Sequence, residues 1–321
     1  MNKILEHVEK PVQATVGEKE ECSHFKCALV TGGSGYIGSR LVERLIADGW
    51  QVHVILRPSS SPNLLSTYGN RLVIHLHHGS TSEMLDIVAA AKPDVVFHLA
   101  AMASAEHRPA DVDQMIISNV LFSTQLVEGM ARNGIRNLVN TETFWQHAEG
   151  SDEYEPMCLY AATKQAFHDI LYYYVSTGAV QAISLALFDT YGPADPRKKL
   201  FNLLKLAALE NRSLDMTPGE QIVDMTHVDD VVAAYIQAAE KLLAGHIAKL
   251  DTYAVTSGRR MTLKELVELV IRETGISIHP NWGGRPYRTK EVMIPWLGEP
   301  LPGWRPNIDL EMGIREIFAE R

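Results

Sequence analysis

Two groups of residues in this chain have the types and spacing to do chemistry. Tyr160 and Lys164 stand four apart in Tyr160-Ala161-Ala162-Thr163-Lys164, so on a helix they share one face. A phenol with a reference pKa of about 10 exchanges its proton poorly near neutrality. A neighbouring ammonium, together with an oxidised nicotinamide ring, favours the phenolate. Lowering the phenol by ~2–3 pH units corresponds to about 3–4 kcal/mol, within reach of a close cation in a dry site. Such a pair can pass a proton to or from a carbonyl oxygen while hydride moves. Upstream, Thr31-Gly32-Gly33-Ser34-Gly35-Tyr36-Ile37-Gly38 follows the apolar run Ala28-Leu29-Val30 and leads into helical periodicity over 39–46. Glycines at 32, 35 and 38 permit a tight turn, close backbone approach to a pyrophosphate, and close packing of helix on strand. The anion then meets free N–H groups at the helix N-terminus. Either motif alone is a weak signal. Together they specify a nicotinamide-dinucleotide enzyme.

A hydroxyl that holds the substrate oxygen is expected near the end of the fifth strand, where Leu138-Val139-Asn140-Thr141-Glu142-Thr143 offers two threonines. Thr143, just past the strand, is the preferred one, and Thr141 on the same side is the alternative. The second strand, Gln51-Val52-His53-Val54-Ile55-Leu56, ends on Arg57 rather than on an acidic residue, with Ser59 and Ser60 close by. An acidic residue there would bond the ribose 2′-OH, whereas Arg accommodates a 2′-phosphate. NADP(H) is therefore the expected cofactor. The alternative leaves Arg57 pointing into water or stacked on adenine.

These groups need a scaffold. Strands are expected at 28–31, 51–56, 72–76, 95–99, 137–140 and 182–187, alternating with helices at 35–48, 82–91, 112–133 and 159–176. Gly49, Gly134 and Gly178 follow three of those helices, where a terminating glycine is favoured. The order predicts an α/β fold: a Rossmann-type, doubly wound parallel sheet over 25–190. Residues 191–321 change character, with helices at 200–211 and 229–243 and a capping box Thr262-Leu263-Lys264-Glu265 opening another that ends near Gly275. They form a smaller α/β substrate-binding lobe, partly interleaved with the first. Trp282, Trp296 and Trp304, set among prolines and glycines, are expected to anchor it.

Composition narrows the function. A net charge of −9 excludes a general nucleic-acid binder, and no apolar run is long enough to span a bilayer. Cys22, Cys27 and Cys158 lack metal-site or redox spacing, so no metal is expected and a reduced cytoplasmic setting fits. Residues 1–24 are polar, without the apolar core of a secretory signal, and read as a flexible or peripheral extension.

The glycine turn, the Tyr160–Lys164 pair and the following threonine resemble the extended short-chain dehydrogenase/reductase family of nucleotide-sugar epimerases, dehydratases and reductases. The resemblance runs from about Ala28 to Gly313 and takes in His98-Leu99-Ala100-Ala101, Asn119, Tyr191-Gly192-Pro193 and His227-Val228-Asp229-Asp230. It implies that Leu99, Ala100 and Ala101 line the cofactor and that Asn119 is structural. A narrower likeness, carried by Asn140–His147, Leu159–Phe167, Phe188–Pro193 and Arg288–Met293, is to CDP-abequose and CDP-paratose synthases. Those enzymes reduce the C4 ketone of a CDP-4-keto-3,6-dideoxyhexose with NADPH. By that resemblance Thr143, Tyr160 and Lys164 are the catalytic trio, and a homodimer joined through the helices at 112–133 and 159–176 is expected.

Three departures stand out. Asp189 occupies a place where many relatives carry Asn, Ser80 one where an adenine-contacting Asp is common, and Val223-Asp224 one where Arg often precedes the Asp. The diphosphate must then find other cations among Lys198, Lys199, Arg259, Arg285 and Arg288. Arg285 and Arg288 are preferred because Arg forms bidentate clamps. Trp145 is placed against the sugar, or as wall packing, and His147 is a loop histidine, solvated or hydrogen-bonded without function, or a proton relay. The competing functions are a 4-epimerase with tightly held NAD and a protein that senses NADPH without turnover. A 4,6-dehydratase would need an acid/base pair where Phe144-Trp145 stands.

Overall fold

A computed structural model of the chain describes residues 26–61, 65, 69–245 and 250–319; the 1–24 extension lies outside the described residues. The strands, in chain order, are β1 (Cys27–Thr31), β2 (Gln51–Leu56), β3 (Leu72–Leu76), β4 (Val95–His98), β5 (Asn137–Thr143), β6 (Gln181–Leu187), β7 (Asp189–Tyr191), β8 (Ser213–Met216), β9 (Ile222–His227), β10 (Asp251–Val255), β11 (Arg260–Thr262) and β12 (His279–Trp282). The helices are α1 (Tyr36–Ala47), α2 (Thr81–Ala91), α3 (Val112–Ile116), α4 (Phe122–Arg132), α5 (Leu159–Ser176), α6 (Leu200–Leu209), α7 (Val228–Leu243), α8 (Leu263–Thr274) and α9 (Leu310–Ala319).

Seven strands pair in parallel in the order β10-β6-β5-β4-β1-β2-β3. Their apolar residues point to both faces, as a doubly covered sheet requires. On one face Val30, Val54, Phe97 and Val139 pack against Leu41 and Leu45 of α1 and Tyr235 and Leu242 of α7. On the other, Leu29, Val96 and Leu138 pack against Met84 of α2, Leu126 of α4, and Phe167 and Leu171 of α5. The expected doubly wound sheet is present, with one strand more than the six foreseen. That strand is β10, which pairs with β6, and α7 covers it from the same late stretch of chain. Both lie beyond residue 190, so the sheet lobe borrows a strand and a helix from the second half.

The second lobe holds a three-stranded sheet, β11-β9-β7, and a two-stranded one, β12-β8. Its core joins Tyr191, Phe201, Leu204, Leu266 and Ile314. The two lobes meet through α1. The Tyr36 hydroxyl donates to the Pro193 carbonyl at 3.1 Å, and the Arg197 guanidinium lies 4.7 Å from the centre of the Tyr36 ring.

Two elements differ from expectation. The helix foreseen over 112–133 is interrupted by a π turn at Ile117–Leu121, with buried Asn119 at its centre. Strand β5 runs three residues past 140, because Thr141, Glu142 and Thr143 continue the ladder beside Leu185–Leu187 of β6. The foreseen capping box is formed: Thr262 Oγ1 accepts from Glu265 N–H, and the Glu265 carboxylate accepts from Thr262 N–H.

The C-terminal strap is held by one buried carboxylate. Asp230 accepts from the N–H groups of Asn307 at 2.9 Å and Ile308 at 3.1 Å, while Trp304 Nε1 donates to the Asp230 carbonyl at 3.0 Å. Replacing Asp230 by Ala removes two partly buried charged hydrogen bonds and should cost about 1–3 kcal/mol of stability. A thermal melt will read this as a fall in Tm, and an unchanged Tm would show that the strap contributes nothing to folding.

Candidate active site

The strand order reverses between β4 and β1, so the loops that leave their carboxyl ends diverge and open a crevice. The floor of that crevice is bare backbone. Gly32 has φ +72°, and a Cβ there would lie 2.7 Å from the Ala100 nitrogen; a Cβ on Gly38 would lie 2.1 Å from the Gly32 oxygen. No side chain fits at either position. Gly35 caps α1 without a side-chain partner, so the first N–H groups of that helix have no side-chain acceptor at the cap. Leu99 and Ala100 are half-buried and Ala101 is exposed, forming the opposite wall. The wall is tied to the glycine turn: Thr31 Oγ1 accepts from Ala100 N–H at 3.2 Å and bonds His98 Nδ1 at 2.8 Å. This cradle fits a dinucleotide pyrophosphate.

Tyr36 and Ile37 lie at the start of α1, but the Tyr36 side chain packs into the lobe junction, not into the crevice mouth. Arg57 is exposed at the end of β2, where its carbonyl closes a turn by accepting from Ser60 N–H at 2.9 Å. Its guanidinium has no partner among the described residues. Ser80 caps α2, its hydroxyl accepting from Glu83 N–H at 3.2 Å.

Helix α5 carries Tyr160, Lys164 and His168 on one stripe against the end of the sheet. Lys164 is 1% exposed and Tyr160 8% exposed, yet neither the ammonium nor the phenol hydroxyl makes a hydrogen bond within the described residues. Burial lowers the Lys164 ammonium to about 8, with Glu142 acting against the fall. Burial pushes the Tyr160 phenol up, and the nearby Cys158 and Glu142 add to the rise. In the protein without ligand the hydroxyl therefore holds its proton; the acidic phenol expected from the sequence belongs to the site with Lys164 and an oxidised nicotinamide ring together.

The two threonines separate clearly. Thr141 Oγ1 donates to the His98 carbonyl at 2.7 Å and bonds the Tyr235 hydroxyl at 2.6 Å, so its hydrogen-bonding capacity is taken up in the core. Thr143 ends β5, and its hydroxyl oxygen only accepts, from Trp145 N–H at 3.3 Å, so its proton is available to a ligand. Trp145 stands edge-on to Tyr160, with ring centres 6.1 Å apart. His147 takes the hydrogen-bonded loop role: its ring stacks on Trp296 at 4.5 Å, and Nδ1 bonds the Glu153 carbonyl at 3.1 Å.

Beyond Trp145 a cavity of about 660 Å³ opens into the second lobe. Trp145, Asp189, Lys198, Lys199, Arg285 and Arg288 all line it. Burial raises the Asp189 carboxyl, and Lys199 opposes the shift. Arg288 bonds Glu291 at 3.2 Å; its buried Nε makes no hydrogen bond and faces Glu106 Oε1 at 4.0 Å. Arg259 lies elsewhere, paired with Glu311 at 2.6 Å. Arg197 also lines the cavity, but it was not foreseen; it is fixed by Asp195 at 2.7 Å and stacks on Tyr36.

The structure adds two further supports that spacing could not reveal. The Asn119 side chain accepts from Met102 N–H at 2.7 Å and donates to Thr163 Oγ1 at 2.9 Å, which ties the loop after β4 to the turn of α5 that holds Tyr160. Glu142, 3% exposed, accepts from His168 Nδ1 at 2.7 Å behind Lys164. A Glu in a strand and a His in a distant helix carry no local signal that they meet. Alternation along β5 does put Glu142 on the face opposite Thr141, the face that α5 covers.

Residues 28–250 match the NAD dependent epimerase/dehydratase family. The CDP-abequose synthase of Salmonella muenchen is 26% identical over 299 residues, covering 92% of this chain and 97% of that enzyme. The UDP-glucose 4-epimerase of Mycolicibacterium smegmatis is 28% identical over 305 residues, covering 89% and 95%. Among solved structures, the UDP-glucose 4-epimerase of Thermotoga maritima with UDP-glucose superposes with a TM-score of 0.79 at 24% identity, over 91% of this chain and 97% of that one. With the sheet order, the backbone-floored crevice and the buried Tyr160–Lys164 pair, these matches establish that the chain belongs to the NAD dependent epimerase/dehydratase family of extended short-chain dehydrogenases/reductases.

Proposed function

We propose that this enzyme reduces the C4 ketone of a nucleoside-diphosphate 4-keto-deoxyhexose with NADPH, on a route to a deoxysugar, and that the substrate is CDP-linked. One observation carries the reading. The buried Tyr160 hydroxyl and Lys164 ammonium, both without partners among the described residues, adjoin through Trp145 a cavity that carries Lys199, Arg285 and Arg288. The likeness to the Salmonella CDP-abequose synthase supports the CDP-linked sugar.

When bound, NADPH supplies the hydride. Tyr160, whose hydroxyl burial keeps protonated, donates its proton to the C4 oxygen. Thr143 donates its free hydroxyl hydrogen to the same oxygen. Lys164 holds the nicotinamide ribose, and its charge stabilises the phenolate left on Tyr160. The crevice formed by Gly32, Gly35, Gly38, Leu99, Ala100 and Ala101 holds the pyrophosphate and its flanks, and Arg57 with Ser60 holds the 2′-phosphate. Trp145 walls the sugar, Asp189 accepts from its hydroxyls or from the base, and Lys199, Arg285 and Arg288 neutralise the diphosphate. The enzyme works as a homodimer, for which Ile116, Ile117, Tyr172 and Tyr173 offer exposed apolar surface on α3, α5 and the π turn.

A 4-epimerase is the second reading, favoured by the mycobacterial relative. Such an enzyme returns its cofactor unchanged, whereas a ketoreductase consumes one NADPH for each sugar. Absorbance of NADPH against a panel of nucleotide-linked 4-ketosugars, with the product assigned by NMR, separates the two. Stoichiometric oxidation with the CDP-sugar is expected; turnover with bound NAD and no net oxidation would establish the epimerase. In the same assay Arg57→Ala should weaken NADPH roughly tenfold to a hundredfold and leave NADH unchanged, the loss expected for a charged hydrogen bond.

Tyr160→Phe should lower kcat by about 10²- to 10⁴-fold while NADPH binding, followed by fluorescence, survives. Turnover by the variant at the original rate would remove Tyr160 from the chemistry. The pH profile has a defined sign. Lys164 acts as the ammonium, so its contribution is complete below about 8 and is lost as pH rises through that value. A rate that stays flat from pH 7 to pH 10, outside that expectation, would mean that the charge of Lys164 is not needed.

A further inference from the structure

An ammonium sealed between a helix and a sheet end loses its proton easily unless something negative stands behind it. Among the described residues that something is Glu142, one position before Thr143 and on the opposite face of β5. We infer that Glu142, held as an anion by His168 and Ser184, is a positioning residue that keeps the buried Lys164 charged and in place. The inference rests on the role of Lys164 proposed above and extends it to residues for which the reading has no other use.

The geometry is specific. Glu142 Oε1 lies 2.7 Å from His168 Nδ1 and 3.4 Å from Asn140 Nδ2, and Asn140 Nδ2 also donates to Ser184 Oγ at 3.0 Å. Burial alone would protonate the carboxyl, but the His168 hydrogen bond and charge, with Ser184, hold it below its usual value. His168 is in turn raised by its hydrogen bond to Glu142, against its own burial. Glu142 thus stands between two cations of one helix stripe. The His168 side chain is 25% exposed and its field is weakened by water, whereas Lys164 is enclosed and, though not directly paired with Glu142, senses the carboxylate with less screening.

The other groups facing this cluster do not replace Glu142. From β4, His98 is buried and kept neutral by its burial and by Lys164. From α5, Tyr160 keeps its proton, Asp169 acts on His168, and Cys158 at the helix start is raised by burial. From α7, Tyr235 is also raised by burial. Burying a carboxylate costs several kcal/mol, so a site that needed only packing would hold an apolar residue here.

Carbon-13 at the lysine Cε allows the Lys164 ammonium to be titrated by NMR in the full chain, with the signal assigned by Lys164→Arg. In Glu142→Gln, which keeps size and removes charge, the titration should move down from about 8 by about one pH unit. The alkaline limb of the rate should move with it, with kcat roughly fivefold lower at pH 8 and KM little changed. Glu142→Asp, which keeps the charge, should recover most of the loss. An unmoved Lys164 titration in folded Glu142→Gln overturns the inference. Should that variant not fold, the Glu142 Cδ signal of the unaltered protein decides, assigned with Glu142→Asp: a carboxylate at pH 7 supports the inference and a protonated carboxyl overturns it. The lysine titration needs no turnover, so a shift seen without any ketosugar reduction would fell the ketoreductase reading and leave this one standing.

Discussion

Much of this structure can be understood from the problem of keeping a lysine ammonium charged where water does not reach. Lys164 is enclosed between α5 and the ends of β4 and β5, and its burial brings the ammonium down to about 8. The surrounding residues are arranged around that constraint. His98, which faces it, is neutral and bonds Thr31 Oγ1 and Ser123 Oγ at 2.8 Å each, so it adds no second positive charge. Glu142 supplies the one nearby anion, and the Tyr160 hydroxyl is left without a partner for a ligand to meet.

The same constraint explains why the polar residues of β5 divide by face. Thr141 points towards α7 and is tied to Tyr235; Asn140 and Glu142 point towards α5 and build the network with Ser184 and His168. Only Thr143, at the end of the ladder, has a hydroxyl proton to offer outwards. Strand alternation thus places three different electrostatic functions within four residues, using the two sides of one sheet.

The site is also a junction of lobes. The glycine turn fixes the cofactor side, the Tyr36–Pro193 and Arg197–Tyr36 contacts set the second lobe against it, and the cavity forms between them. Because β10 and α7 return from the second half of the chain to complete the first lobe, the two halves cannot separate without breaking the sheet.

The sequence by itself determined the local features. Glycine spacing announced the turn, because only glycine fits where backbones approach so closely; the four-residue interval put Tyr160 and Lys164 on one face; and alternating apolar runs announced the parallel sheet. These follow from short-range sterics and periodicity, which travel with the chain. The tertiary structure decided the rest. It engaged Thr141 with Tyr235 and left the Thr143 hydroxyl proton free, extended β5 through pairing with β6, and recruited β10 from the far half. It also raised the phenol of ligand-free Tyr160 by burying it, stacked His147 on Trp296, and brought Glu142 to His168. Each of these depends on burial or on partners distant in sequence, and neither is encoded in the spacing of neighbours.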